Sequence, residues 1–338
     1  MRILFNIIFS AILAIGLVGF WALFLNLWKP KKKWPAWVGY IIIIGAWFAA
    51  IRYYILNQVD LYGTMYYPLM NMFRTESYGF LFGVFLAIPV FIILSLLYWT
   101  INKIWSKTPE ENRTGRRAFF RTAATIVPLA TIGGSSYAAF AGQQELVVTH
   151  ESFGYTNLPP GLKNYKIVQL SDIHIGPSID LDDFDEILKL ALLQKPNRVV
   201  ITGDLIDKLA WLPQVCERLT TFAKQIPDGV DFILGNHEYH HDVNKVLDAL
   251  KRNTPMNILV NSNIQIMGGK QPVYIAGVAY DNDRKKDNRE AMINKALSGI
   301  PDYAFVILLA HHPEFFEESI ERKIPLTLSG HTHGGQIV

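Results

Sequence analysis

The chain has one cysteine, Cys216, among 338 residues. That excludes an intramolecular disulfide framework and a thiolate metal cluster. Charge is also scarce, since Asp, Glu, Lys and Arg together make up 18%, against about 25% in soluble domains. With half of its residues apolar, the chain is not intrinsically disordered, and an ordinary cytosolic globule is disfavoured. Acidic residues are nearly missing from the first part. Residues 1–142 hold 13 Lys/Arg against 4 Asp/Glu, whereas residues 143–338 hold 19 against 25. The formal net charge of +3 is therefore the sum of +9 and −6. Eight of the nine histidines fall between His174 and His333, and no internal repeat or low-complexity tract is present. An asymmetry of this kind points to a membrane or another partner for one half.

Long charge-free runs fill the first part. Residues 3–28, 34–51 and 77–102 contain no charged residue, and residues 122–142 form a weaker run diluted by Thr, Ser and Gly. A helix over 3–28 would be about 39 Å long, enough to cross the hydrocarbon core. The sequence thus predicts a bundle of about four transmembrane helices over residues 1–142. Lys29, Lys31, Lys32 and Lys33 follow the first run, and Lys103, Lys107, Arg113, Arg116, Arg117 and Arg121 precede the fourth. Arg2, Arg52 and Arg74 are the basic residues of the other side. This bias places the basic loops in the cytoplasm and everything after Gly142 outside the cytoplasmic membrane. The segment Thr114–Arg121 also resembles a twin-arginine export signal, and Ala139-Phe140-Ala141 has the small-x-small form of a cleavage site. The equal alternative is that these arginines only enforce topology.

From about Tyr165 the pattern changes to short β-rich runs alternating with helical stretches. Strands are expected over Lys166–Leu170, Arg198–Thr202, Val230–Leu234, Met256–Val260, Ile264–Met267, Val273–Val278, Ala304–Ala310 and Leu326–Ser329. Helices are expected over Leu181–Gln194, Gln214–Gln225, Val243–Asn253, Asn288–Leu297 and Glu314–Arg322. This is an α/β domain over residues 143–338. The residues just beyond the strands carry the chemistry: Ser171-Asp172-Ile173-His174, Gly203-Asp204-Leu205-Ile206-Asp207, Gly235-Asn236-His237-Glu238, His311-His312-Pro313, and Gly330-His331-Thr332-His333-Gly334-Gly335. Ligand sites of open α/β sheets lie beyond the carboxyl ends of strands, so these residues should converge. In extended chain, the spacing of Asp172 from His174 and of His331 from His333 would put each pair on one face. Carboxylate, imidazole and amide without thiolate suit Mn, Fe or Zn, and the set is large enough for two ions sharing a carboxylate.

The series DxH, GDxxD, GNHE, a strand-terminal His and GHTHGG resembles that of the calcineurin-like metallophosphoesterases. The opening stretch LPPGLKNYKIVQLSDIHIG is similar to that of their membrane-anchored bacterial branch. The resemblance implies a two-layer β-sandwich flanked by helices, an α/β/β/α arrangement with a dinuclear centre at one edge. It implies one divalent ion on Asp172, His174, Asp204 and His333. A second would lie on Asp204 as the bridge, Asn236, His311 and His331. His237 would not be a ligand but would protonate or polarise the leaving group, and Asp207 would orient the His237 imidazole. Two such ions clamp a phosphate, generate a hydroxide nucleophile and stabilise the leaving oxygen. His312, with His240 and His241, reads either as lining the approach of a substrate or, preferably, as solvated surface histidine. Relatives continue past the position of Val338, so the closing strands of the sandwich are expected to be missing or short.

The expected function is that of a membrane-anchored phosphohydrolase, a phosphodiesterase by resemblance, acting outside the cytoplasmic membrane on an envelope or lipid-linked phosphoester. The alternatives are a sugar-nucleotide or lipid-precursor pyrophosphatase, and a non-catalytic membrane sensor that keeps the metal site. The −6 balance of the distal half argues against nucleic acid as a partner.

Overall fold

The computed structural model describes residues 48, 51, 52, 59, 61–104, 110–141, 146–176, 179–280 and 285–333. The expected spans over 3–28 and, apart from residues 48 and 51, over 34–51 lie outside them, as do Gly334 and Gly335. The chain divides into two compact units, Met1–Val147 and Val148–Val338.

In the first unit, α1 covers Tyr67–Ile104 and α2 covers Glu110–Ala141. Among the described residues, α1 is the one helix long and apolar enough to cross a membrane. It starts ahead of the charge-free run at Ser77 and takes in Arg74 and Glu76. There the Arg52 guanidinium pairs with Glu76 and donates to Ser77 Oγ over 2.8 Å, so the acidic charge near this end of the helix is matched, while Arg74 donates to Asn71 Oδ1 over 2.6 Å. The expected fourth span lies within α2, which is far less apolar because it includes Arg113, Arg116, Arg117 and Arg121. The two helices interlock through small residues. Ser135 Oγ donates to the carbonyl of Gly79 over 2.7 Å, and a methyl group on Gly83 would lie 2.5 Å from Ile132 Cα. Backbones approach this closely only where side chains are absent or small.

The second unit holds two four-stranded sheets. Strands β1 (Ile167–Leu170), β2 (Arg198–Ile201), β3 (Val230–Phe232) and β4 (Asn257–Ile258) pair in that order, all parallel. In the other sheet β5 (Ser262–Met267) runs antiparallel to β6 (Val273–Val278), and β6, β7 (Phe305–Ala310) and β8 (Leu326–Ser329) are parallel. Parallel strands need crossovers. These are α3 (Leu181–Leu193), α4 (Leu212–Ala223), α5 (Asn236–His241) with α6 (Val243–Asn253), α7 (Lys286–Ala296), and α8 (Phe316–Glu321). Asp180 opens α3 with a capping box, its carboxylate accepting from the Asp182 and Asp183 amides, which satisfies donors the helix leaves open.

Side chains alternate across β6 and β7. Val273, Ile275, Phe305, Ile307 and Leu309 pack with Val200 of β2 and with Ile233 and Leu259, just beyond β3 and β4, into one core. Ala276, Val278, Val306, Leu308 and Ala310 pack on the other side with Ile293 and Ala296 of α7. A period of two therefore divides these strands between the space separating the sheets and a helical layer. On the first sheet Val199, Ile201 and Phe232 are fully buried, as expected where helices cover a parallel sheet. The resulting layers are α/β/β/α. Every expected strand is present, although β4 is reduced to two residues. The short helix α5 within the GNHE segment is an element the sequence pattern does not predict.

Candidate metal centre

Five strand ends bring their polar residues together. Beyond β1 and β2 the two chains keep running side by side, with the Asp172 amide donating to the Gly203 carbonyl and the His174 amide to that of Asp204. The backbone here is not extended. Asp172, His174 and Asp204 have φ of 53°, 52° and 51°, and His331 and His333 have 71° and 48°. The alternation expected for DxH and HTH therefore does not hold: left-handed residues turn each side chain inward after the strand has ended. Non-glycine residues seldom hold such angles, and they concentrate at functional sites.

The donors fall into adjoining groups. Asp172, His174 and His333 form one, and Asp204, His311 and His331 another; within each group the candidate ligand atoms lie within 4.8 Å of one another. Ligands bound at about 2.0–2.2 Å to a first-row ion stand at most about 4.4 Å apart across it, and the individual separations within and between the groups, 2.9 to 3.7 Å, fall inside that limit. In the first group His174 Nε2 is 3.3 Å from His333 Nε2 and the rings stack at 5.0 Å, while Asp172 Oδ1 lies 3.6 Å from His333 Nε2. In the second, Asn236 Oδ1 is 3.0 Å from His311 Nε2 and 2.9 Å from His331 Nδ1. Asp204 Oδ2 stands 3.7 Å from His174 Nε2 and 3.3 Å from His311 Nε2, between the two groups.

The donor chemistry fits a metal. His311 Nδ1 donates to the Thr202 carbonyl over 2.7 Å. This bond fixes the tautomer and turns the Nε2 lone pair toward the oxygens of Asn236 and Asp204, an arrangement typical of metal-binding imidazoles. Acceptors facing one another call for a positive charge between them. Burial disfavours the charged forms of both Asp204 and His311. With a proton in place of a cation on Nε2, their contact nevertheless outweighs it, holding the Asp204 carboxyl below and the His311 imidazole above the ordinary value. His333 is lowered by burial, with the neighbouring His174 adding to the effect.

His237 and Asp207 stand beside the first group. His237 Nδ1 is 2.6 Å from Asp207 Oδ1. Burial opposes the charge on each, but His174, His237 and His241 together depress the Asp207 carboxyl, and Asp207 in turn raises the His237 imidazole. His174 Nδ1, at 3.4 Å, and His241 Nε2, at 3.3 Å, approach the same oxygen. His241 and His312 are not solvated surface residues: their side chains are 10% and 13% exposed, and the His312 imidazole packs against His331 at 4.4 Å.

Glu238 is a site residue that the motif reading misses. It is fully buried, and its carboxylate accepts from the amides of Gly235, Asp204 and Leu205 over 2.7, 3.0 and 2.8 Å. Burial and the nearby Asp204 push its carboxyl up, and the three amides pull it back. One carboxylate thereby clamps the loop after β2 to the start of α5. Its place three residues after Gly235, where a capping-box carboxylate stands, is the signal that could have found it.

The chain resembles known proteins over this region. Residues 165–335 match the family model for calcineurin-like phosphoesterases. An uncharacterized metallophosphoesterase of Campylobacter jejuni is 30% identical over 302 residues, 88% of this chain and 74% of that one. A putative metallophosphoesterase of Caenorhabditis elegans is 28% identical over 80% of this chain and 58% of its own length. The Bos taurus transmembrane protein with metallophosphoesterase domain is 30% identical over 72% of this chain and 55% of its own length. The chain therefore spans between about half and three quarters of these relatives. On this match, and with these motifs at its strand ends, the chain belongs to the calcineurin-like phosphoesterases, metal-dependent hydrolases of phosphoester bonds.

Proposed function

We propose that the chain is a membrane-anchored phosphodiesterase that holds two divalent ions and acts outside the cytoplasmic membrane on an envelope or lipid-linked phosphoester. The observation that carries the reading is the convergence of seven nitrogen and oxygen donor residues beside a His237–Asp207 pair. Asp172, His174, Asp204 and His333 would hold one ion, and Asp204, Asn236, His311 and His331 the other. When bound, the ions supply Lewis-acid polarisation of the phosphoryl group and a nucleophile from water at neutral pH. The chain's own residues do the rest. Asp207 fixes the His237 imidazole through Nδ1, which leaves Nε2 to hold a proton for the leaving oxygen. His237 is about one-third exposed, at 34%, and so is accessible to a substrate. A non-catalytic sensor would need the ligands but not this pair.

The membrane part of the proposal draws on the apolar helix α1, on the charge split of the sequence, and on relatives that are transmembrane proteins. We read the first 142 residues as an anchor of about four spans with its basic loops in the cytoplasm. Assaying the detergent-solubilised chain on bis-p-nitrophenyl phosphate with Mn²⁺ tests the chemistry. Turnover should be lost in Asp204→Asn, whereas His237→Ala should lose little on this ester, whose p-nitrophenolate departs readily, and about 10²-fold or more on a diester of phenol. No turnover by the unsubstituted chain, or turnover unchanged in Asp204→Asn, would refute the reading. A reporter fused after Val338 should be active only outside the cytoplasm; cytoplasmic activity would overturn the topology.

A further inference from the structure

The Asp207 carboxylate serves more imidazoles than leaving-group protonation requires. Its Oδ1 is approached by His237 Nδ1 at 2.6 Å, His241 Nε2 at 3.3 Å and His174 Nδ1 at 3.4 Å. His237 and His241 stand four residues apart at the two ends of α5, so one helical turn puts both rings on one side. Their centroids are 6.1 Å apart. His240, between them in sequence, is exposed, whereas the His241 side chain is only 10% exposed. A largely buried imidazole needs hydrogen-bond partners, and one that His241 has is the oxygen that orients His237.

We propose that His241 is a positioning residue: its Nε2–H fixes the Asp207 carboxylate, and through it the His237 imidazole, for leaving-group protonation. The inference rests on the hydrolase reading above. In the step concerned a water oxygen replaces the ester oxygen on phosphorus and the P–O bond to the leaving group breaks. The His237 Nε2 proton passes to the leaving oxygen, and the attacking water releases a proton to solvent. With His241 absent, Asp207 keeps His174 and His237 as partners but loses the bond that restrains it from the α5 side. His237 then samples orientations from which its proton misses the leaving oxygen, and near-attack geometry is sensitive to displacements of this size.

A leaving-group series separates this role from a structural one. Methyl aryl phosphates carrying p-nitrophenol need little protonation on departure, and those carrying phenol need much more. The full chain in detergent with Mn²⁺ is assayed with both esters as the unsubstituted protein, His237→Ala, His241→Phe and His241→Gln. His241→Phe should lower kcat for the phenol ester about ten-fold, and for the p-nitrophenol ester by less than about three-fold, with KM and bound metal unchanged. His241→Gln, which offers an amide N–H, should recover most of the loss. Equal losses on both esters, a loss of bound metal, or no loss in His241→Phe would overturn the inference. If His237→Ala shows the leaving-group dependence and His241→Phe does not, this inference falls and the hydrolase reading stands. If the unsubstituted chain turns over neither ester, both fall.

Discussion

Asp172, His174, Asp204, His331 and His333 hold their side chains inward by adopting left-handed backbone, each at a cost of order 1–3 kcal/mol. Such angles persist only where neighbours dictate them, and here the neighbours are identifiable. The His331 amide donates to both oxygens of Asp172, the His237 amide donates to Asp204 Oδ1, and Glu238 collects three amides from two loops. Replacing Glu238 by Gln leaves a single acceptor oxygen and turns an N–H₂ group toward backbone donors. The expected loss is about 2–4 kcal/mol, read as a lower melting temperature of the full chain in detergent; an unchanged melting temperature would remove Glu238 from this role. Gly203 has φ of +94°, and a Cβ there would lie 2.6 Å from the Gly235 amide nitrogen and 2.7 Å from His311 Nδ1. Gly203→Ala should therefore displace His311 and weaken Mn²⁺ binding at least about ten-fold, as measured by calorimetric titration. Unaltered affinity would mean that the close approach does not hold the ligand.

At the scale of elements, the sheets aim the site. Four parallel strands in the first sheet and three in the second direct their carboxyl ends to the same region, as ligand sites in α/β sheets require. These elements are legible in the sequence because apolar runs, alternation and helix caps are local properties. The expected Val243–Asn253, Val273–Val278 and Leu326–Ser329 coincide with the observed elements. The strand expected over Met256–Val260 shrinks to Asn257–Ile258, because pairing with the short β3, and not apolar character, limits it. Helix α5 escapes a sequence reading because its six residues, Asn-His-Glu-Tyr-His-His, have no apolar periodicity; its start is held by the carboxylate of Glu238. In the first unit, α1 and α2 meet where Gly79 and Gly83 face Ile132, Ser135 and Ser136. Gly83→Leu should force them apart at a cost of about 1–3 kcal/mol. An SDS unfolding titration would show the midpoint moving to lower detergent, and a midpoint that stays put would argue against this interlock.

At the scale of the whole molecule, the two units divide the charge. The excess of basic residues belongs to the first and the excess of acidic residues to the second, where Asp172, Asp204 and Asp207 stand within a few ångströms of imidazoles that bound cations would share. Ion binding should then stabilise the second unit, by about 2.7 kcal/mol at a hundred-fold excess over the dissociation constant. Treatment with EDTA is expected to lower the melting temperature and abolish turnover, and Mn²⁺ to restore both. A melting temperature indifferent to EDTA and Mn²⁺ would contradict a metal centre built from these residues.

The sequence alone determined the kind of site, because the identity of donor residues and their place after β-rich runs are written in the chain order. It also determined the elements, since burial patterns within a strand or helix depend on near neighbours. Only the tertiary structure decided how the donors are held. The left-handed turns at Asp172 and His174, the Glu238 clamp across two loops, and the meeting of His241 with Asp207 join residues that lie about thirty positions apart or have backbones set by adjoining strands. Such contacts arise from the stacking of strand ends in space: the capping-box place of Glu238 marks that residue locally, but no local pattern encodes its reach to the loop after β2 or the other two features.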